Sequence, residues 1–149
     1  MIEIQALIDA VVSHALSLGV FEKVNGHEPK SAPGNGITGA VWVQSIQPIL
    51  GGLNSTSVRF TLNFRCYTSM LTEPQDLIDP NLAGSADLLM EAVTGDFTLD
   101  GMVRSVDLLG AHGTALSAEA GYLEQDKRLF RVITVTIPLI VNDAYGQVA

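Results

Sequence analysis

The 149-residue sequence holds a single cysteine, Cys66, so no internal disulfide can form and pairing says nothing about compartment. Charge is also scarce. Only 16 % of residues are Asp, Glu, Lys or Arg against 47 % hydrophobic, which is apolar for a soluble monomer of this length. Basic residues are scarcest: eight Lys and Arg face sixteen Asp and Glu, a net charge of −8. That balance argues against general binding to nucleic acid or to an anionic membrane. It suits solubility, and it would suit a wall that nucleic acid passes without sticking. No uncharged apolar run reaches the ~18 residues of a membrane-spanning helix. The opening "MIEIQALIDAVVSHALSLGV" lacks a basic start and is interrupted by Glu3 and Asp9, so it does not read as a signal peptide. The expectation is one soluble domain over residues 1–149, made in the cytosol. Repeats and low-complexity tracts are lacking as well.

Catalytic signatures are missing too. No GxSxG, P-loop, GxGxxG or HExxH occurs. His14, His27 and His112 fall on a helix, a loop and a turn, none with a second ligand at metal spacing, so they read as solvated or structural. Cys66 ends an apolar strand face and reads as a packed thiol rather than a nucleophile. "DFTLDG" at 96–101 lacks the ligand series and terminal glutamate of a calcium loop and reads as a turn into a strand. Asp76, Asp79 and Asp87 surround the start of a helix, where carboxylates favour the positive helix end; a catalytic pair is the lesser reading. Asn54-Ser55-Thr56 is a glycosylation sequon that reads as chance. The sequence therefore predicts no catalytic, cofactor-binding or metal-ligating residue, no cofactor and no enzyme.

What is present is periodicity. Residues 3–18 repeat apolar side chains at helical spacing (Ile4, Leu7, Ile8, Val11, Val12, Ala15, Leu16), and Gly19 supplies a stop. Residues 22–37 carry breakers and no periodicity, so they form a long loop, with a short extended piece near Phe21 to Val24. Strands are expected at 39–49 and 57–69, paired as a hairpin around "LGGLNST". In the second, Val58, Phe60, Leu62, Phe64 and Cys66 face one way and Arg59, Thr61, Asn63 and Arg65 the other. Arg59 and Arg65 could contact phosphate; pairing with acids such as Asp107 or Glu119 on other strands is the stronger reading. A second helix starts at Asp79 as N-cap with Pro80 behind it, carries the stripe Leu82, Ala86, Leu89, Met90 and Val93, and ends at Gly95. Strands are expected at 101–110, 114–124 and 128–141. The order α-β-β-α-β-β-β predicts an α+β domain: a mainly antiparallel β-sheet with two α-helices packed on one face.

The last strand, "RLFRVITVTIPLIV", is apolar on both sides. Leu129, Ile133, Val135, Ile137, Leu139 and Val141, with Arg131, should meet the helices. Phe130, Val132, Thr134, Thr136, Pro138 and Ile140 form a second face more apolar than one left in water should be. A rolled sheet, a neighbouring subunit or a small ligand could cover it. Pro138 cannot donate to a ladder, which places the strand at an edge, at least locally, and so favours assembly.

The arrangement resembles the tail terminator proteins of long-tailed bacteriophages, and more loosely other small neck and tail-completion proteins. The matching stretches are the opening helix "IQALIDAVVSHALSLG" running into "VFEKVNGHEPKSAPGNG", then "GAVWVQSIQPI", "RFTLNFRCYTSML", the loop "TEPQDLID", the second helix and "RVITVTIPLIVND". The resemblance implies a structural virion protein, built in the host cytoplasm and resident in the tail or neck. Its copies would form a ring, hexameric in that family, that caps the tail tube protein, ends polymerisation and joins the head-side connector protein. DNA would pass through the channel without specific binding, and no membrane is involved. A ring needs heterologous contacts; the last strand, the loop from Glu22 to Ile37 and the segment Ser69 to Ile78 are where the sequence places them, with the tail 142–149 reaching an adjoining ring. The alternatives are another phage head–tail connector or tail tube protein, and a small-molecule-binding α+β domain.

Overall fold

The computed structural model describes residues 1–27, 36–71 and 74–147. Helix α1 spans Ile4–Ser17 and strand β1 spans Lys23–Asn25, followed by β2 (Thr38–Ile49) and β3 (Ser55–Ser69). A 3-10 turn at Gln75–Leu77 leads into α2 (Ile78–Gly95), and then come β4 (Ser105–Val106), β5 (Ser117–Gln125) and β6 (Arg128–Gly146). The fold is α+β, as the pattern predicts, with the strands in one sheet and all pairings antiparallel except β1 with β2.

Helix α1 buries Leu7, Ile8, Val11 and Ala15, whereas Ile4 and Leu16 of the same predicted stripe stay exposed. Gly19 adopts φ +72°, the left-handed exit that glycine allows after a helix. Helix α2 departs from expectation at its start. It begins at Ile78, before Asp79, and no side chain caps it. Asp79 therefore sits inside the first turn, where its charge meets the positive helix end, and its Oδ1 accepts from Arg131 Nε of β6 at 3.0 Å. Pro80 is tolerated there because the first turn has no intrahelical acceptor for its missing N–H.

The strand expected at 101–110 shrinks to Ser105–Val106; residues 99–101 turn with positive φ instead. β6 is longer than expected, reaching Gly146. It is also the centre of the sheet rather than an edge. Along one side it pairs with β3 from Ser55↔Gly146 to Ser69↔Phe130. Along the other it pairs with β5 up to Ser117↔Thr136 and with β4 from Val106↔Leu139. Pro138 falls in the gap between those two partners, and its carbonyl accepts the Asp107 N–H at 2.8 Å. The backbone N–H and C=O of a strand residue point to the same side. The donor that proline lacks would thus point into the gap where no ladder partner lies.

One face of the sheet carries the helices. Val41, Val58, Phe60, Leu62, Phe64 and Cys66 join Val135, Ile137 and Leu139 against Leu7, Val11, Leu82, Leu89 and Val93 in one core. Gly39 of β2 is part of this packing: a Cβ there would meet Phe64 Cζ at 2.6 Å. The Phe64 ring in turn meets Phe21 edge-on at 5.3 Å.

The opposite, outer face is buried by the chain itself: of the three covers the sequence leaves open, the rolled sheet is the one found, so neither this face nor Pro138 supports assembly. Phe130 and Ile140 are 0 % exposed and Val132 5 % in a single copy. Phe130 and Val132 pack with Ala40 and Tyr67, rimmed by Trp42 and Leu123. The Tyr67 and Phe130 rings meet edge-on at 6.5 Å. At the other end, Arg59, opposite Ile140 in register, donates to the His112 carbonyl and so fastens the loop after β4 over this face. Burying side chains of this size contributes roughly 1.5–3 kcal/mol each, enough to hold a curled sheet and its loop over the outer face.

Candidate functional site

The two arginines singled out in β3 do not meet the acids expected of them. Arg59 Nη1 donates to His112 O at 2.5 Å and Nη2 donates to Gln47 Oε1, while its solvent-shielded Nε has no hydrogen-bond partner among the described residues. Arg65 lies over the Trp42 ring at 5.0 Å and its Nε reaches Thr134 Oγ1 at 3.4 Å. Glu119 is exposed on β5. Asp107 is 5 % exposed and organises the loop instead: Oδ1 accepts from Gly110 N and Ala111 N, and Oδ2 accepts from His112 N. A carboxylate taking three backbone N–H groups stabilises a turn, and Gly110 and Gly113 supply its positive φ values of 82° and 106°. The spacing "DLLGAHG" was the available signal for this and was missed.

The histidines fall as follows. His14 Nε2 lies 2.8 Å from Asp96 Oδ2, joining the end of α1 to the residue after α2. Asp96 Oδ1 also accepts from Asp100 N at 3.0 Å. The Asp100 N–H first, and then the His14 hydrogen bond, hold the Asp96 carboxyl below the usual carboxylate range. "DFTLDG" is thus a turn, as read, with its first aspartate tied to a helix. Beside the pair lies a cleft of about 710 Å³, lined by Ser13, Ser17, Asp100 and Met102 among others. His27 is exposed after β1, and His112 serves through its backbone.

Cys66 is fully buried on the helix side, and burial pushes its thiol up to about 12. A thiol so protonated is no nucleophile. Asp76, Asp79 and Asp87 are all exposed around α2, and Asp79 is engaged by Arg131. Arg131 also stacks over the Tyr122 ring at 4.5 Å. Among the described residues no group of three or more His, Cys, Asp or Glu could hold a metal ion. Nor is any described helix long and apolar enough to cross a membrane.

Charge is distributed unevenly in a way that composition alone hides. Segments 1–19 and 74–103, which hold both helices and the turn after α2, carry Glu3, Asp9, Asp76, Asp79, Asp87, Glu91, Asp96 and Asp100 and not one Lys or Arg. The remaining eight acids match the eight bases, so these two segments account for the whole formal net charge of −8, with Arg131 of β6 reaching in to pair with Asp79. Seven of those eight carboxylates are on exposed residues, and Asp96 is half-buried. Asp79 is paired with Arg131 and Asp96 with His14. An excess of carboxylates on one surface repels polyanions over about a Debye length.

The most exposed large apolar side chains lie on turns, Leu109 on the loop after β4 among them. Leu50 and Leu53, at the tip of the β2–β3 hairpin, are 96 % and 98 % exposed. The contact segments expected from the sequence fare differently. The last strand is interior to the sheet, residues 28–35 of the loop and 72–73 of the following segment lie outside the described residues, and so do residues 148–149 of the tail.

No protein-family model matches this sequence, and no curated protein matches it.

Proposed function

We propose that this chain is a structural protein of the tail-terminator type. Copies associate into a closed ring, hexameric in the family it resembles, that caps a phage tail tube, ends its polymerisation and offers the joining surface to a head-side connector. It does this without catalysis, in the virion's tail or neck, after assembly in the host cytoplasm. The observation that carries the reading is the charge on the helix layer. Its segments carry eight carboxylates and no Lys or Arg of their own, and the one arginine that reaches them, Arg131, is occupied by Asp79. Such a surface is suited to border a path along which DNA must slide, because free basic side chains there would bind phosphate and slow its passage. The α+β order with both helices on one side of the sheet agrees with the same reading.

Electron microscopy of the purified protein, with native mass measurement, tests it. Lone closed rings at a multiple of the 15.8 kDa chain mass are expected. Stacked tubes of unlimited length would make it a tube subunit instead. A monomer at every concentration that also fails to associate with tail tubes would remove the reading.

A second reading has one observation in its favour. The cleft beside His14 and Asp96 is large enough for a small molecule. A metabolite thermal-shift screen tests it. A ligand at about 100 times its dissociation constant stabilises by roughly 2.7 kcal/mol, and His14→Ala should abolish that shift.

A further inference from the structure

Besides the two- and three-residue end strands β4 and β1, two longer strands keep an unpaired edge among the described residues. β5 pairs with β6 over all nine of its residues, Ser117–Gln125, and pairs with no strand on its other side. β2 is bound to β3 on one side, while β1 covers the other only at Thr38–Ala40, so β2 is bare from Val41 onward. Natural edges are usually blunted by lysine, proline or a bulge. β5 carries no Lys, Arg or Pro and its register with β6 is unbroken; Glu119 and Glu124 are its only charges. β2 carries no charged residue at all. Its Pro48 blocks only the outer end, and the irregularity between Val43 and Ser45 adds local twist.

We propose that the free edge of β5 in one copy pairs antiparallel with Val41–Gln47 of β2 in the next, so that the sheet continues from copy to copy. This rests on the self-assembly in the reading above and deepens it by assigning the contact.

Strand direction supports the pairing. β2, β3, β6 and β5 alternate, so β2 and β5 run in opposite directions. A second copy placed alongside, with the same strand direction and its helices on the same side, sets β5 antiparallel to β2 with no reversal. That relation is a rotation about an axis parallel to the strands, a heterologous contact that can close a ring. Apolar surface supports it as well. Register with Phe60 puts Ile46 on the helix side of β2, and register with Arg131 puts Tyr122 on the helix side of β5. They are 46 % and 63 % exposed in one copy, and the joined sheet brings these two rims together on one face. Charge decides between partners. Pairing β5 with a second β5 would bring Glu119 of both copies near each other on the outer face or Glu124 of both on the helix face, where like charges are destabilising. Pairing with the uncharged β2 does not.

The test uses edge lysines. Ala120→Lys blocks β5 and Ile46→Lys blocks β2, both at exposed positions, with circular dichroism and thermal melts confirming that each variant folds. Native mass spectrometry should show each variant reduced to the 15.8 kDa monomer, whereas an equimolar mixture forms dimers and nothing larger, because each variant keeps one competent edge. Oligomers persisting in either folded variant would overturn the proposal, and so would a monomeric wild type. Ile46→Lys dimers alone would show β5 pairing with itself. The two readings fail separately. Open chains built through these edges would sink the ring-cap function and leave the edge contact standing. Closed rings that survive both lysines would do the reverse.

Discussion

Asp107 and Arg59 grip opposite ends of one residue. The Asp107 carboxylate accepts the His112 N–H at 2.8 Å, and the Arg59 guanidinium donates to the His112 carbonyl at 2.5 Å. An acid and a base that never touch are thereby linked through a backbone segment. Together they fix the loop between β4 and β5 beside β6, where the Asp107 N–H donates to the Pro138 carbonyl and Arg59 lies opposite the buried Ile140 in register.

Removing the acid should therefore loosen the loop more than any single surface ion pair would. Asp107→Ala leaves three backbone N–H groups without their acceptor. It is expected to cost about 2–3 kcal/mol in urea unfolding, with Asp107→Asn about half as severe because one acceptor oxygen remains. A loss under about 0.5 kcal/mol, the usual range for a surface substitution, would show that the loop is held by something else.

Truncating the outer-face cluster tests whether a single copy buries it. Phe130→Ala is expected to cost about 3–5 kcal/mol, as for a buried core aromatic. That loss should be the same at low and high protein concentration. A cost that vanished on dilution would mean that Phe130 is buried between copies rather than within one.

Acid should release the clasp between the helices. The folded-state pKa of Asp96 is depressed, chiefly by the Asp100 N–H and then by His14. Its contribution is therefore complete above the unfolded value near 3.8 and is lost as the pH falls through the lower folded value. A series of melts should show wild type and Asp96→Asn separated at neutral pH, with the gap narrowing only below about pH 4. A gap that closed between about pH 6 and pH 7 would contradict this assignment.

The thiol offers a simple probe of opening. Cys66 is buried and its thiol pushed up to about 12, so an aromatic disulfide reagent should label it only in denaturant. Stoichiometric labelling of the native protein within minutes at neutral pH would show that the helix layer lifts readily from β3.

By itself the sequence determined the class of fold and the sidedness of its main elements. Period-two alternation in "VRFTLNFRC" placed Val58 to Cys66 on the core side, and helical spacing placed Leu7, Val11, Leu82 and Leu89 against them. Those patterns are local, because the burial of a side chain in a strand or helix follows from where its Cβ points. Partner choice is not local. That β6 is the centre of the sheet, that β5 and most of β2 keep one side unpaired, and that Phe130 and Tyr67 pack together on the outer face depends on contacts between residues far apart in the chain. An apolar strand face has the same sequence signature whether its cover comes from its own chain or from another. Only the tertiary structure distinguishes the two, and it moves the unsatisfied surface from the face of the last strand to the edges of two others.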